Sequence, residues 1–222
     1  MNIKDFDGII FDLDGTFIDS MDVWHEVDLE FFKKRGIPLP TDYKEKIKTM
    51  HFKSAAKFTK EEYNLPDSEE DIIEEWHSLC MEQYKTSVML KDGAAEFIEF
   101  CKANGLKTAY ATASDDDLCT AVLQNNSVLH LFDSKTYVHE AGKDKTHPDV
   151  YLLAAEKIGV QPSKCIVVED ILIGLKSAKK AGFTVIAMYD ESSKSDWKEM
   201  CKIADKNIYS FKELILNVFT NE

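Results

Sequence analysis

Residues Gly8–Thr16 read GIIFDLDGT, and this stretch decides the fold class. A run of apolar residues that ends at turn residues predicts a strand buried on both faces of a parallel sheet. Asp12 and Asp14 follow it at the carboxyl end, where open α/β sheets bind their ligands. A fully extended strand would point both carboxylates to one side, where they repel each other. A hard cation such as Mg²⁺ between them would relieve that repulsion.

The same residues are compatible with an ordinary turn, because Asp and Gly are common turn residues. A calcium-binding loop is a poorer match, because its longer Asp-x-Asp-x-Asp-Gly spacing with a distant Glu is not met. The apolar strand that precedes Asp12 favours a functional site over a turn.

Composition and charge limit the partners of the chain. With 222 residues, 44% of them hydrophobic, it can form one large domain or a core with a smaller insertion. The 27 basic and 40 acidic residues give a net charge of −13, which repels nucleic acid and anionic membrane surfaces, so we expect neither as a partner. A phosphorylated ligand would also be repelled, so its site needs local positive charge from a metal ion, a lysine or helix N-termini.

The cysteines and the hydrophobic runs predict the compartment. The five cysteines are odd in number and contain no Cys-x-x-Cys pair, which is typical of buried free thiols in a reducing cytosol. The first residues lack the apolar stretch of a signal peptide, and no run reaches the roughly 20 apolar residues that span a bilayer. We therefore expect a soluble, cytoplasmic protein.

Alternating strands and helices predict the architecture. From Ser20, the expected N-cap of the first helix, to Ser87 the pattern indicates helices only, including two short ones between Thr41 and Tyr63 and one that begins near Pro66. Later strands are expected at 106–112, 134–138, 165–168 and 183–188, and helices at 93–104, 114–124, 148–159, 173–181, 197–204 and 211–219. This alternation predicts a doubly wound parallel sheet. The expected domains are an α/β core of residues 1–17 and 89–222 and a helical insertion of residues 18–88.

Polar residues follow several of these strands. The groups are Asp12 with Asp14, Thr112 with Ala113 and Ser114, Lys145 in a loop, and Glu169 with Asp170. The ends of parallel strands share one crevice, so these side chains are expected to converge. Together they supply a nucleophile, metal ligands and donors to phosphoryl oxygens. Each alone has an ordinary structural interpretation, as have the acidic residues 115–117 (helix capping) and His25, His51, His139 and His147 (structural or surface residues).

Four ordered segments resemble the motifs of the haloacid dehalogenase (HAD) superfamily, in the branch related to β-phosphoglucomutase and phosphoglycolate phosphatase. FDLDGT at 11–16 resembles the first motif, ATAS at 111–114 the second, KTHPD at 145–149 the third and VED at 168–170 the fourth. The segments extend over nearly the whole chain. The resemblance implies a Rossmann-like α/β core with an inserted α-helical cap domain, and a HAD-like phosphoric monoester hydrolase.

The resemblance also implies a mechanism and a cofactor. Asp12 would attack phosphorus and form an aspartyl-phosphate, while Asp14 would protonate the leaving oxygen and then deprotonate the attacking water. The phosphate-binding residues would be Thr112, Ala113, Ser114, Lys145 and Gly15, with Thr112 and Lys145 also catalytic. Mg²⁺ would be held by Asp12, the backbone oxygen of Asp14, and Asp170. Glu169 would be either a direct ligand or a residue that contacts a ligand.

The expected substrate is a small phosphorylated metabolite, such as a sugar phosphate or a phosphoglycolate-like acid. Specificity would reside in the cap, for which the candidates are Trp24, His51, Phe52, Lys53 and Trp76. Trp24 stands where the mutase relatives have a histidine, and residues 49–53 replace a glycine and an arginine that grip the distal phosphate. These departures favour a phosphatase. The alternatives are a phosphosugar mutase and a non-catalytic phosphate-binding module, and the protein is expected to be a monomer or a weak homodimer.

Overall fold

The computed structural model describes residues 1–47 and 50–217, and its centre is a parallel sheet. Within these residues the strands are β1 (Gly8–Phe11), β2 (Lys107–Thr112), β3 (Ser134–Tyr137), β4 (Cys165–Glu169), β5 (Thr184–Met188) and β6 (Lys206–Ile208). They pair in parallel in the order β3-β2-β1-β4-β5-β6. Every residue of β1 is buried, as its apolar sequence predicts. The order reverses beside β1, which places a crevice at the carboxyl ends of β1 and β4.

A helical segment lies between β1 and β2, as expected from the sequence. Its helices are α1 (Met21–Lys34), α2 (Tyr43–Ile47), α3 (Phe52–Glu62) and α4 (Glu69–Thr86). The α4 helix begins at a capping box, in which Ser68 and Asp71 satisfy each other's backbone amides. Ser20 precedes α1 as predicted, but its side chain makes no capping hydrogen bond. Thr49, part of the stretch compared with the mutase relatives, lies outside the described residues.

The two connections between this segment and the sheet run side by side. The amide of Asp19 donates to the carbonyl of Met89 (2.9 Å), and the amide of Lys91 donates to the carbonyl of Phe17 (2.9 Å). The ammonium of Lys91 also forms ion pairs of 2.7 Å with Asp19 and with Asp190 on the core. Both ends of the helical segment therefore leave the core at one place.

Further helices cover both faces of the sheet. They are α5 (Ala94–Ala103), α6 (Asp116–Asn125), α7 (Val138–Ala141), α8 (Asp149–Ile158), α9 (Leu172–Lys180), α10 (Trp197–Ile203) and α11 (Lys212–Asn217). Side chains of α5 and α6 pack in one apolar cluster, and those of α8 and α9 pack in another on the opposite face. This arrangement confirms the doubly wound α/β fold. The predicted residues 218 and 219 of the last helix lie outside the described residues.

The sequence patterns missed two elements, α7 and β6. Both are very short, and β6 begins with Lys206 and Asn207, residues that are uncommon in strands. The cysteines are unpaired, as predicted, with four buried and Cys201 half-buried. Among the described residues no helix combines the length and the apolar character needed to cross a membrane.

Candidate active site

Lys145 joins two of the groups that the sequence placed at strand ends. Its ammonium donates hydrogen bonds to Oδ1 of Asp12 and to Oε1 of Glu169, the latter at 2.5 Å. The lysine is 3% exposed. Burial disfavours its charge, but the attraction of Asp12 and Glu169 outweighs that effect and raises the pKa of Lys145. The loop lysine is therefore a charged member of the site rather than a surface residue.

Three buried carboxylates lie at the crevice. Asp12, Glu169 and Asp170 each offer an oxygen that lies within 4.8 Å of those of the other two. Burial and then the charge of Glu169 raise the pKa of Asp12 to about 7, and the same two causes raise the pKa of Asp170. With all three ionised, the cluster and Lys145 carry a net charge of 1 − 3 = −2. Such an oxygen-rich, negative donor set fits a hard divalent cation.

Glu169 already uses its hydrogen-bonding capacity within the protein. Oε1 accepts from Lys145 and from the hydroxyl of Tyr151 (2.6 Å), while Oε2 accepts from the amides of Asp170 (2.9 Å) and Ile171 (3.0 Å). A carboxylate has about four acceptor positions, so these donors occupy Glu169 fully. Asp12 and Asp170 are thus the carboxylates with free capacity for an ion. Tyr151 was missed from the sequence because it lies on α8 and belongs to no motif.

Asp14 lies against the helical segment. Its Oδ1 accepts hydrogen bonds from the Ser20 hydroxyl (2.6 Å), the Trp24 indole (3.2 Å) and the Tyr84 hydroxyl. In the described residues, no hydrogen bond reaches Oδ2 of Asp14, which leaves this oxygen available to a ligand. Ser20 therefore binds Asp14 instead of capping α1.

The position of a cation between the carboxylates of Asp12 and Asp14 stays a prediction. Asp12 groups with Glu169 and Asp170, and the Asp14 side chain is not part of that cluster. The reason is that β1 ends at Phe11 and the chain turns at Leu13, so the side-chain alternation of an extended strand no longer applies. Coordination through the backbone oxygen of Asp14 stays a prediction.

One cavity contains most of the predicted site residues. The residues that line its inner end are Asp12, Asp14, Thr112, Ala113, Ser114, Lys145 and Asp170. Thr112 accepts a hydrogen bond from the amide of Ser114 (3.0 Å), which fixes the loop after β2. The Ser114 hydroxyl is buried and lies beside the Cys119 thiol, while the residue itself lines the cavity.

Gly15 does not contribute to the cavity wall, although it was expected among the phosphate-binding residues. Its φ angle is +82°, and a Cβ added there would lie 2.4 Å from Oδ2 of Asp170. Glycine is needed here because the backbone passes so close to this carboxylate in a left-handed conformation. Its function in the structure is thus to make room for Asp170.

The helical segment supplies the outer wall. Of the predicted specificity residues, Trp24, Phe52 and Trp76 line the cavity, whereas His51 and Lys53 do not. The His51 ring contacts the Ser54 hydroxyl (3.1 Å), and Lys53 is exposed. His25, expected to be a structural or surface residue, does line the cavity, as do Asp28 and Lys44, which the sequence analysis did not select.

Known proteins are similar to this chain in sequence and in fold. The chain is 29% identical to "Protein CbbY" of Rhodobacter capsulatus, covering 86% of this chain and 91% of that protein. It is 26% identical to "Hexitol phosphatase B" of Escherichia coli strain K12, covering 92% of each. The crystal structure of CbbY from Rhodobacter sphaeroides in complex with phosphate matches with a TM-score of 0.81 and 25% identity, over 94% of this chain and 96% of that one. The sequence pattern of the haloacid dehalogenase-like hydrolases matches residues 6–182. The chain belongs to this family, as an enzyme of the phosphoric monoester hydrolase type.

Proposed function

We propose that the protein is a Mg²⁺-dependent phosphatase that hydrolyses a small phosphorylated metabolite through an aspartyl-phosphate on Asp12. The observation that carries the proposal is the position of Lys145, whose ammonium binds Asp12 in the cavity that Asp14 also lines. A nucleophile, a cation and a second carboxylic acid are thus available to one phosphate group. Their convergence supports phosphoryl transfer to a protein carboxylate.

In the first step a carboxylate oxygen of Asp12 attacks phosphorus, and the bond between phosphorus and the leaving oxygen breaks. The leaving oxygen takes a proton from Asp14, which therefore carries a proton when the substrate is bound. Oδ2 is the oxygen that would hold this proton, because Oδ1 is engaged by Ser20, Trp24 and Tyr84. Lys145 balances negative charge on Asp12 and on the transferred group.

In the second step water attacks phosphorus of the aspartyl-phosphate, and the bond to Asp12 breaks. Asp14 accepts the proton of the water, which restores both aspartates and releases inorganic phosphate. Thr112, the last residue of β2, and the amide of Ala113 after it would donate to the phosphoryl oxygens. Glu169 acts through Lys145. Its Oε1 lies 2.5 Å from the ammonium of Lys145 and holds that group beside Asp12.

The residues that would hold Mg²⁺ are Asp12, Asp170 and the backbone oxygen of Asp14. When bound, the ion would neutralise charge on the phosphoryl oxygens and compensate the buried carboxylates. Thr16 supports this arrangement, because its hydroxyl donates to Asp170 at 2.7 Å and lies 3.3 Å from Asp12.

Residues 18–88 would act as a cap domain over the core of residues 1–17 and 89–222. Contacts of Trp24 and Tyr84 with Asp14 support this role, because they link the first and last helices of the segment to the reacting end of the cavity. Closure of such a cap excludes water and brings specificity residues to the substrate. A phosphorylated hexitol or related carbohydrate is the substrate class that the name of hexitol phosphatase B suggests.

The first test is hydrolysis of p-nitrophenyl phosphate with Mg²⁺ by the wild type and by Asp12→Asn. We expect the variant to lose activity by about a thousandfold or more, because the amide is a poor nucleophile. Asp7→Asn, an exposed aspartate five residues earlier, is the matched control and should keep wild-type activity. Equal rates for Asp12→Asn and the wild type would reject the nucleophile.

A second measurement separates this function from its rivals. Acid-quenched wild type should carry one phosphoryl group on the peptide that contains Asp12, detected by mass spectrometry. Conversion of a sugar phosphate to an isomer without release of phosphate would identify a mutase instead. Binding of phosphate with no turnover of any phosphate ester would identify a non-catalytic module.

A further inference from the structure

Asp28 is a buried carboxylate without a hydrogen-bond or ion-pair partner among residues 1–47 and 50–217. It lies on α1, is 8% exposed and lines the cavity between the helical segment and the core. A buried carboxylate that lacks a partner is costly, so its presence at a cavity wall points to a ligand that supplies the missing donors.

The hydroxyl of Tyr43, a residue close enough to sense the charge of Asp28, is already used. Thr59 donates its proton to the carbonyl of Ala55 (2.7 Å), so the Tyr43 hydroxyl must be the donor in its 2.7 Å contact with Thr59. Tyr43 therefore has no proton to give to Asp28. The other titratable groups that face Asp28 are Lys44, from α2, and Cys80, from α4.

The electrostatics agree with this geometry. Burial raises the pKa of Asp28 to about 7, and the charge of Lys44 opposes the rise without forming a direct ion pair. Lys44 also lines the cavity. The outer end of the cavity thus presents a hydrogen-bond acceptor, Asp28, and a donor, Lys44, that do not bind each other.

The positions of Trp24 and Asp28 on α1 give the distance between the inner and outer ends of the cavity. The Trp24 indole contacts Asp14, and Asp28 follows one turn later on the same face, about 6 Å further along the helix axis. Aromatic rings form the wall between them, with ring centroids of Trp24 and Phe52 5.4 Å apart and those of Phe52 and Trp76 6.1 Å apart. A ligand that binds Lys145 at one end would thus pass an apolar wall before it reaches Asp28.

The chemistry of Asp28 and Lys44, at the outer end of the cavity, determines which groups of a ligand can bind there. A carboxylate only accepts hydrogen bonds and an ammonium only donates them, whereas a hydroxyl group does both. Neighbouring hydroxyls can therefore satisfy Asp28 and Lys44 together. A second phosphate or an amine would be attracted by one member of this pair and repelled by the other, whereas hydroxyl groups suit both.

Building on the proposed phosphatase function, we propose that Asp28 and Lys44 bind hydroxyl groups at the end of the substrate remote from its phosphate. The substrate is then the monophosphate of a polyhydroxylated chain, a sugar or a polyol, and not a bisphosphate or an aminated ester. Asp28 and Lys44 are specificity residues and take no part in the chemical steps.

The test compares kcat/KM for a panel of pentose, hexose and hexitol monophosphates with kcat/KM for hexyl phosphate, which has a carbon chain without hydroxyls. We divide kcat/KM for the panel member that the wild type prefers by kcat/KM for hexyl phosphate. This ratio should fall about tenfold or more in Asp28→Asn, mainly through KM, because the loss of a hydrogen bond to a charged group weakens binding by about that factor. Activity on a hexose bisphosphate, relative to hexyl phosphate, should rise in the same variant. Asp22→Asn, an exposed aspartate on the same helix, should leave both ratios within about twofold of the wild type.

The outcomes separate this inference from the proposed function. A wild type that hydrolyses hexyl phosphate as efficiently as every hydroxylated monophosphate would overturn the role of Asp28 but keep the phosphatase. Parallel losses on all substrates in Asp28→Asn would assign the residue a structural role and overturn it as well. A wild type that hydrolyses no phosphate ester would overturn the phosphatase itself.

Discussion

Tyr84, in the last turn of α4, donates its hydroxyl to Oδ1 of Asp14, which lies 70 positions earlier in the chain. The same oxygen accepts from Trp24 on α1, so the first and the last helix of the segment both bind it. Tyr84 is fully buried, and burial followed by the charge of Asp14 raises its pKa, so the hydroxyl stays protonated as a donor. The segment thereby orients the second aspartate of the first motif.

Tyr84→Phe removes one of these donors with little change in side-chain volume. We expect kcat to fall roughly tenfold, with a smaller change in KM, because one lost hydrogen bond to a charged group is worth about 1.5–3 kcal/mol. Steady-state kinetics on p-nitrophenyl phosphate measure the effect. Tyr189→Phe breaks another tyrosine–carboxylate bond, to Glu191 (2.6 Å), and is the control, because neither residue lines the cavity. Equal kcat values for the two variants would show that Asp14 does not need Tyr84.

Gly174, in α9, allows Tyr151 and Glu169 to meet. A Cβ at this position would lie 2.5 Å from Oε1 of Glu169 and 2.6 Å from the Tyr151 hydroxyl. Gly174→Ala should therefore lower the free energy of unfolding by about 1–3 kcal/mol, despite the better helix propensity of Ala. It should also lower kcat, because Glu169 holds Lys145. Urea unfolding with Lys180→Ala, an exposed residue of the same helix, as control measures the first effect. A stabilised Gly174→Ala would contradict the close contact.

Mg²⁺ should stabilise the protein through Asp170. At about 100 times its Kd, a ligand that binds only the folded state adds about 2.7 kcal/mol to the free energy of unfolding, which a rise in Tm reports. Asp170→Asn should lose most of this rise, since it removes a carboxylate with free capacity for the ion. It should also be more stable than the wild type without metal, because it relieves repulsion from Glu169 and Asp12. Asp7→Asn should respond to Mg²⁺ like the wild type. An undiminished Mg²⁺ response in Asp170→Asn would place the ion elsewhere.

The convergence of Asp12, Lys145 and Asp170 could be predicted because topology alone requires it. The carboxyl ends of parallel strands meet at one edge, so residues that follow β1 and β4 lie together whatever their neighbours are. Strands β1, β4 and β5 could also be predicted, since each contains an apolar run. The fold class and the strand-end residues thus follow from local pattern and general sheet geometry.

The residues missed from the sequence lie on helices. Tyr84, Tyr151 and Asp28 reach the site through the packing of one helix on another element, and helix packing leaves no fixed spacing in the chain. Gly15 shows the same limit, because its close approach to Asp170 joins residues distant in sequence. The path of the chain after Phe11 also depends on such contacts, which is why the sequence did not show that Asp14 binds Ser20, Trp24 and Tyr84.

Asp28 should make the stability of the protein depend on pH. Its pKa in the folded state is raised to about 7 from an ordinary value of 3.8, so between these values the folded state keeps a proton that the unfolded state releases. The free energy of unfolding therefore falls as pH rises from about 4 to 7, and the loss is complete above pH 7. Asn carries no charge, so Asp28→Asn should be more stable than the wild type at about pH 8, by up to roughly 4 kcal/mol, and nearly equal at about pH 4.

Thermal unfolding of both proteins across this pH range checks the prediction, with Asp22→Asn as the exposed control on the same helix. The difference between the two proteins isolates Asp28, because the other titrating groups are common to both. A gain in stability together with poorer binding of a hydroxylated substrate is the combination expected of a residue retained for a ligand. A pH-independent difference between Asp28→Asn and the wild type would mean that the carboxylate is already paired in the folded protein.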